Sequence, residues 1–357
     1  MLQNCAASTF LTLLTLTRCL PTLAHRLPTQ WSERGHTNNL VHKDVVVIGG
    51  GAAGTYAAVR LAQEGKSVAL IERNDRLGGH VNTYYDQKTG EPFDYGVIFY
   101  GNCSVTMDFF NYLGVEVTGG EEPKTQIFAD FATGATIPHD IVANKTGDYL
   151  TSLKGWIVQL AKYPWLTDNS GWHFPATFDD EIFMPFGEYL AKYNLGGLAT
   201  LLTYTSQSGN ILGAPALYYM KWCNRAASGL GGYWQKDGNN QEIYNTAFTK
   251  LGAAKNVYLN SKVNAVHRDS HGVAVRFATP SGEHTVMASQ LVMAIPPTLD
   301  NLGFLDISPT ERSLFGQFNN NYIYSGVVLN SGLPQESVVI NFDPSQPFGI
   351  PPSPLNP

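Results

Sequence analysis

The clearest structural signal along the chain begins at Val45-Val46-Val47-Ile48, an unbroken apolar run in which every side chain is β-branched. A strand with one wet face alternates, so an unbroken run of this kind predicts a strand covered on both faces. After the glycines at 49–54 the period changes. Ala58, Leu61 and Ala62 share one helical face between Thr55 and Glu64, and Gly65 stands where a helix ends on a left-handed glycine. Ser67-Val68-Ala69-Leu70-Ile71 is a second apolar run. Strand, helix and strand in this length predict a βαβ unit with its two strands parallel.

The patterning then diversifies. Asp86-Gln87-Lys88-Thr89-Gly90-Glu91-Pro92 is a turn between aromatic-flanked arms and predicts a hairpin within 84–100. Helical periodicity runs through 149–161 and 181–202, inside a stretch rich in Trp, Tyr, Phe and Leu from about 147 to 233. Asp179, Asp180 and Glu181 read as a helix start rather than a catalytic carboxylate set. β-like runs return at 257–259, 263–266 and 273–277, the last two across the turn Ser270-His271-Gly272. Residues 290–295 form another buried-type strand closed by Pro296-Pro297, and from Gln335 the chain reads as a Pro-rich tail.

Ahead of all this, residues 1–24 carry a short apolar run at 10–17 and then Pro21-Thr22-Leu23-Ala24, with small residues suited to a signal peptidase. The run is too short to span a bilayer, so it reads as a secretory signal, with a misassigned start or disordered leader as the alternative. Residues 25–42 read as a tether. Secretion would make Asn102 and Asn144, each in an Asn-x-Ser/Thr triplet, glycan acceptors. Cys5 and Cys19 fall in the leader; Cys103 and Cys223 are either two separate buried thiols or a bridged pair, with no metal-ligand spacing. No metal site and no membrane span are expected.

Composition confirms a folded chain and narrows its partners. Of 357 residues, 43% are hydrophobic and 15% charged, enough apolar material for a sizeable core. The net charge of −6 leaves no basic stripe for phosphates, which excludes nucleic acid as the expected partner.

The candidate chemistry sits between the first strand and helix. Gly49-Gly50-Gly51-Ala52-Ala53-Gly54 supplies G-x-G-x-x-G. Gly49 permits a tight turn, Gly51 lets the backbone approach a pyrophosphate, and Gly54 allows close packing of helix on strand. Ala53 lies in the first helical turn, where free N–H groups and a partial positive charge face the phosphates. Glu72 ends the second strand, 23 residues after Gly49, placed to accept from both ribose hydroxyls and to repel a 2′-phosphate.

Arg73-Asn74-Asp75-Arg76-Leu77-Gly78-Gly79-His80 comes next. The spacing E-x-x-x-R-x-G-G resembles the flavin-containing amine oxidase and phytoene desaturase superfamily. That resemblance implies FAD, with Arg76 near the pyrophosphate and Gly78 and Gly79 letting the chain run close to the flavin. Arg73, just after the ribose carboxylate, is a further cofactor-binding candidate, and His80 departs from the superfamily's usual Arg or small residue; it lines either the flavin edge or the surface. Phe93-Asp94-Tyr95-Gly96 resembles the superfamily's D-x-G segment beside the isoalloxazine ring. Val263 resembles the strand residue whose backbone meets adenine, and residues 291–297 resemble the V-x-A-x-P strand. In closer detail, residues 54–58 and 83–97 are similar to the fungal beta-cyclopiazonate dehydrogenase family, secreted-type FAD enzymes of secondary metabolism.

The expected architecture is therefore α/β: a Rossmann-like FAD-binding domain with a parallel sheet, split in sequence into 43–146 and 236–300. A mixed α+β substrate domain is inserted at 147–235 and continues at 301–357. Most aromatics of 163–222 are expected in its core, with a few lining an apolar slot for a small-molecule substrate. The resemblance implies hydride transfer from a small apolar natural product, by dehydrogenation or oxidative cyclisation, with the cofactor carrying the reaction and no catalytic side chain assigned. It also implies a closing Gly-rich segment that is not found before Pro357, so the C-terminal part is expected to be missing. An inactive flavoprotein homologue, an NAD-dependent dehydrogenase and a carrier of prenylated GTPases on the same fold remain the alternatives.

Overall fold

A computed structural model of the protein describes residues 39–101, 104–119, 125–168, 174–206, 209–223, 232–320, 323–334 and 336–352. The leader, the triplet at Asn102 with Cys103, and Trp172-His173 lie outside the described residues. Strand β1 (Leu40–Ile48), helix α1 (Ala52–Gln63) and strand β2 (Val68–Ile71) form the anticipated unit, with β1 and β2 parallel. Gly65, at φ +78°, follows the end of α1.

Six strands make the main sheet, in the order Val257–Tyr258, β2, β1, Gly282–Met293, Gly272–Thr279 and Lys262–Asp269. The first four run parallel, so the unit begun at residue 40 is completed by strands more than 180 residues later; the domain is split in sequence as expected. The last three are joined antiparallel, so the sheet is mixed rather than wholly parallel. One reason is that the run at 290–295 is the end of a 12-residue strand. Its first half pairs antiparallel with Gly272–Thr279, while on its other side the strand pairs parallel with β1. β1 itself starts at Leu40, where its register opens opposite Thr285, so the last residues of the expected tether belong to the sheet.

The Val45–Ile48 half of β1 is buried on both faces, for a simple geometric reason: successive side chains point to opposite sides. Val45 and Val47 meet α1, Ser104–Leu113 and Gln241–Lys250, while Val46 and Ile48 meet the antiparallel strands. None of the four is more than 4% exposed, and each contributes about 1.5–3 kcal/mol on burial.

The second body is helical and aromatic. Trp156, Phe186, Tyr189 and Tyr219 interlock, with Phe186 stacked on Tyr219 at 4.3 Å and Trp156 edge-on to Phe186 at 6.0 Å. The Tyr189 hydroxyl donates to Gln159 Oε1 at 3.2 Å, satisfying both groups in the core. The helical stretch expected at 181–202 is broken into a 3₁₀ turn at Asp180–Phe183 and helices Phe186–Lys192 and Ala199–Ser206. Pro185 has no N–H to continue the first piece, and Asn194 at φ +53° ends the second. Asp179 caps the 3₁₀ turn by accepting from the Glu181 amide at 3.1 Å, which makes 179–181 the helix start expected.

Within the expected Pro-rich tail, the described residues 336–352 are structured. Ser337–Asn341 pairs parallel with Thr125–Asp130, which pairs antiparallel with Ala135–Ile137. The β-branched run Val338-Val339-Ile340 favours a strand, and Phe342, 1% exposed, anchors it against Phe128, Ile137 and Val142. This pairing joins 125–146 to 337–350, across the boundary drawn at 146. Among the described residues no helix is long and apolar enough to cross a membrane.

Candidate cofactor site

The first glycine loop is held from both sides. The Gly49 amide donates to Ile71 O at 2.9 Å and the Ala294 amide to Ile48 O at 2.8 Å, so the loop leaves β1 pinned between its neighbours. Gly49 has φ +101°, and a Cβ there would lie 2.7 Å from Ala294 O. At Gly54 a Cβ would fall 1.8 Å from Gly49 O, which no side chain survives. Thr55 completes the turn: its hydroxyl donates to Gly50 O and its amide to Gly51 O, both at 2.9 Å. No side chain caps α1 at Gly51, so the first-turn amides around Ala52, Ala53 and Gly54 are presented for a ligand.

A second loop closes against the first. The Gly78 amide donates to Gly50 O at 2.9 Å, and Gly51 and Gly78 form a parallel bridge. A Cβ on Gly79, at φ +58°, would meet Gly51 Cα at 2.9 Å, whereas one on Gly51 meets only Gly79 Cα at 3.8 Å. The two loops therefore make a backbone cradle with space left on the Gly51 side. A pyrophosphate fits that donor set: uncapped amides, a helix dipole and no side chain in the way.

Glu72, expected to accept from the ribose hydroxyls, also has a structural task. It is 6% exposed, and its carboxylate braces both loops: Oε2 accepts from the Gly50 amide at 2.6 Å and Oε1 from the Asn74 amide at 2.8 Å. Each oxygen keeps a further lone pair, so acceptance from a ribose remains compatible with this geometry. The Ser261 amide donates to Glu72 O at 2.9 Å, which brings the strand holding Val263 to the same end of the sheet. Val263 pairs with Phe277 just before an irregularity in the ladder. Arg73 and the His80 side chain are exposed.

Arg76 turns back into its own loop. Nη1 donates to Val81 O at 2.8 Å and Gln241 Oε1 at 3.2 Å, and Nη2 donates to Asn82 Oδ1. Beneath it lies the expected hairpin, β3 (Thr83–Tyr85) and β4 (Pro92–Asp94). Asp94 accepts from the Thr83 hydroxyl and from the Asn240 amide at 3.0 Å, and burial holds its carboxyl above the usual range. Gly96 packs so tightly that a Cβ would lie 2.0 Å from His80 O.

Sequence reasoning missed Asn240, Gln241, Asn82 and Thr83 as members of this network. Asn240 precedes a helix and so carries a capping signal, but nothing in the sequence places it beside residues 76–97. Its side-chain oxygen and the Tyr100 hydroxyl are buried with no hydrogen-bond partner. Of the substrate-side aromatics, Tyr163 and Tyr219 are core, while Phe174, Tyr218 and Trp222 are exposed. Among the described residues no three His, Cys, Asp or Glu side chains gather as a metal site.

Comparison with known proteins defines the class. Residues 47–113 match the NAD(P)-binding Rossmann-like domain family. The chain is 35% identical over 325 residues to FAD-dependent oxidoreductase oblC of Cochliobolus heterostrophus, covering 88% of this chain and 66% of that protein. It is 33% identical to FAD-dependent oxidoreductase pigF of Monascus ruber, covering 91% of this chain and 70% of pigF. Beta-cyclopiazonate dehydrogenase of Aspergillus oryzae is 29% identical, covering 88% and 68%. Among solved structures, cyclohexylamine oxidase from Brevibacterium oxydans shares the fold, with TM-score 0.57 and 22% identity over 76% of this chain and 62% of that one.

The chain thus belongs to the family of fungal FAD-dependent oxidoreductases that includes oblC and pigF. It spans about two thirds of the length of these relatives.

Proposed function

We propose that this chain holds FAD and acts as an oxidoreductase of fungal secondary metabolism on a small, largely apolar natural product. The carrying observation is the double-glycine cradle at the uncapped start of α1, braced from behind by Glu72. The first-turn amides and the backbone of Gly51 and Gly79 would hold the pyrophosphate, Glu72 the ribose hydroxyls, and the Val263 backbone the adenine. Glu72 carries a negative charge where a 2′-phosphate would sit, which sets the site against NADP. When bound, FAD supplies the hydride acceptor. The protein's part is to bind and orient it and to exclude water, and a C–H oxidation of this kind needs no side-chain base.

The test is the visible spectrum of the purified full chain, compared with Gly51→Leu. Gly51 has extended backbone (φ −68°, ψ −173°) that any residue adopts, and a Cβ there meets Gly79 Cα at an ordinary 3.8 Å, so the variant is expected to fold, which its far-UV circular dichroism and melting temperature check. The parent is expected yellow and the variant folded but colourless. A folded parent that stays colourless when titrated with FAD overturns the proposal.

A further inference from the structure

The Gly78-Gly79 turn owes its shape to a residue from the other half of the chain. Gln241 opens the helix Gln241–Lys250, is 8% exposed, and lies 165 residues from Arg76 in sequence. Its Nε2 donates to Leu77 O at 3.0 Å and its Oε1 accepts from Arg76 Nη1 at 3.2 Å, so one amide grips two successive residues just before the turn. Its backbone amide donates to the Thr83 hydroxyl at 3.2 Å, tying the same helix start to the residues just after the turn. One turn along, the Tyr244 ring packs over Gly78, about where a Cβ would meet it at 3.2 Å. The neighbouring Asn240 reinforces the contact by donating to Val97 O at 2.7 Å and to Asp94. The clamped turn is the one that meets Gly51.

We infer that Gln241 is a positioning residue for the cofactor. By holding Leu77 O and Arg76 together, it sets the Gly78-Gly79 backbone against Gly51 before the dinucleotide arrives. This rests on the FAD reading above for its functional consequence, and on the hydrogen bonds alone for its structural one. A binding loop ordered in advance loses less entropy on binding, and partners one layer behind ligating groups tune affinity without touching the ligand. Two of its three side-chain bonds run to the loop; the third, from Nε2 to Asn245 Oδ1, stays within its own helix and is the longest at 3.4 Å, so removing the Gln241 amide loosens the loop more than the helix that carries it.

The experiment compares Gln241→Met, of similar volume but without the amide, with Gln159→Met. Gln159 is 7% exposed and accepts from Tyr189 inside the helical body, whose core is separate from the one beneath the glycine loops. Two readouts are taken. One is the dissociation constant for FAD, by titrating flavin-free protein. The other is amide exchange at Gly78 and Val81 in the flavin-free protein, whose N–H groups donate to Gly50 O and Gly78 O. For Gln241→Met, both exchange rate and FAD dissociation constant are expected to rise about tenfold or more, whereas Gln159→Met stays within about twofold at a matched loss of thermal stability. Restoring the acceptor alone, in Gln241→Glu, is expected to recover part of the loss. Exchange unchanged in Gln241→Met, or changed equally in Gln159→Met, overturns the inference. A parent that binds no FAD sinks the proposed function instead, and the exchange rates still decide the role of Gln241.

Discussion

The two ends of this molecule are built on opposite principles. At the dinucleotide end, residues 49–54 and 78–79 meet backbone to backbone, through the Gly78 amide on Gly50 O and the close approach of Gly79 to Gly51, and a buried carboxylate bonded to two amides braces them. In the helical body the contacts are side chain on side chain, with Trp156, Phe186, Tyr189 and Tyr219 filling one another's gaps. Backbone contact at van der Waals distance tolerates no Cβ, so its sequence is dictated position by position. Aromatic packing needs volume and apolarity, which many sequences supply. The first design produces a motif; the second produces only a composition.

Breaking the first principle is expected to do the most damage. Gly54→Val places atoms where Gly49 O already sits, 1.8 Å from the new Cβ, and is expected to cost about 4–5 kcal/mol or more and to abolish flavin binding. Loss of soluble folded protein or a collapsed melting temperature checks it; a variant that melts like the parent would show that helix and strand do not depend on that contact. Trp156→Ala attacks the second principle. It leaves a cavity in the aromatic core and is expected to cost about 3–5 kcal/mol, read by denaturant unfolding. Among the molecules that remain folded, flavin affinity is expected within about twofold of the parent, because Trp156 packs in the helical core and not in the one beneath the glycine loops.

The smallest effect concerns the charged surface of the sheet domain. Arg268 bonds both oxygens of Glu311, and together with the Ser308 cap this holds the Glu311 carboxyl down at about 2, from an ordinary 4.5. A folded-state value below the unfolded one adds stability above the unfolded value and loses it as pH falls through the folded one. The melting temperature should therefore drop between pH 4.5 and about 2, and Glu311→Gln should flatten that part of the profile. An identical profile in the variant would assign the acid sensitivity to other carboxylates.

Much of the dinucleotide end was legible beforehand. The β-branched run predicts a doubly buried strand, the helix period and Gly65 give α1, and the three glycines mark the loop. The split of the domain follows from strand-like runs returning near 257–295. What escaped has physical causes. Residues 290–295 read as a separate strand because a single apolar run does not reveal that its upstream half has a different neighbour. Residues 337–341 hid beneath a Pro-rich composition, although Val338-Val339-Ile340 carried a strand signal. The helix expected through 181–202 broke at Pro185 and Asn194, where local backbone rules outweigh side-chain periodicity.

The sequence by itself determined which residues had to be glycine, which strand had to be buried on both faces, and which class of cofactor such a loop suits. Those are local matters, set by sterics and by periodicity within one or two elements. Only the tertiary structure decided that Glu72 braces two loops, that Arg76 turns back into its own turn, and that Gln241 holds that turn from the far half of the chain. A hydrogen bond between residues 165 apart has no period and no spacing to read. It exists only once the sheet has brought its two halves together.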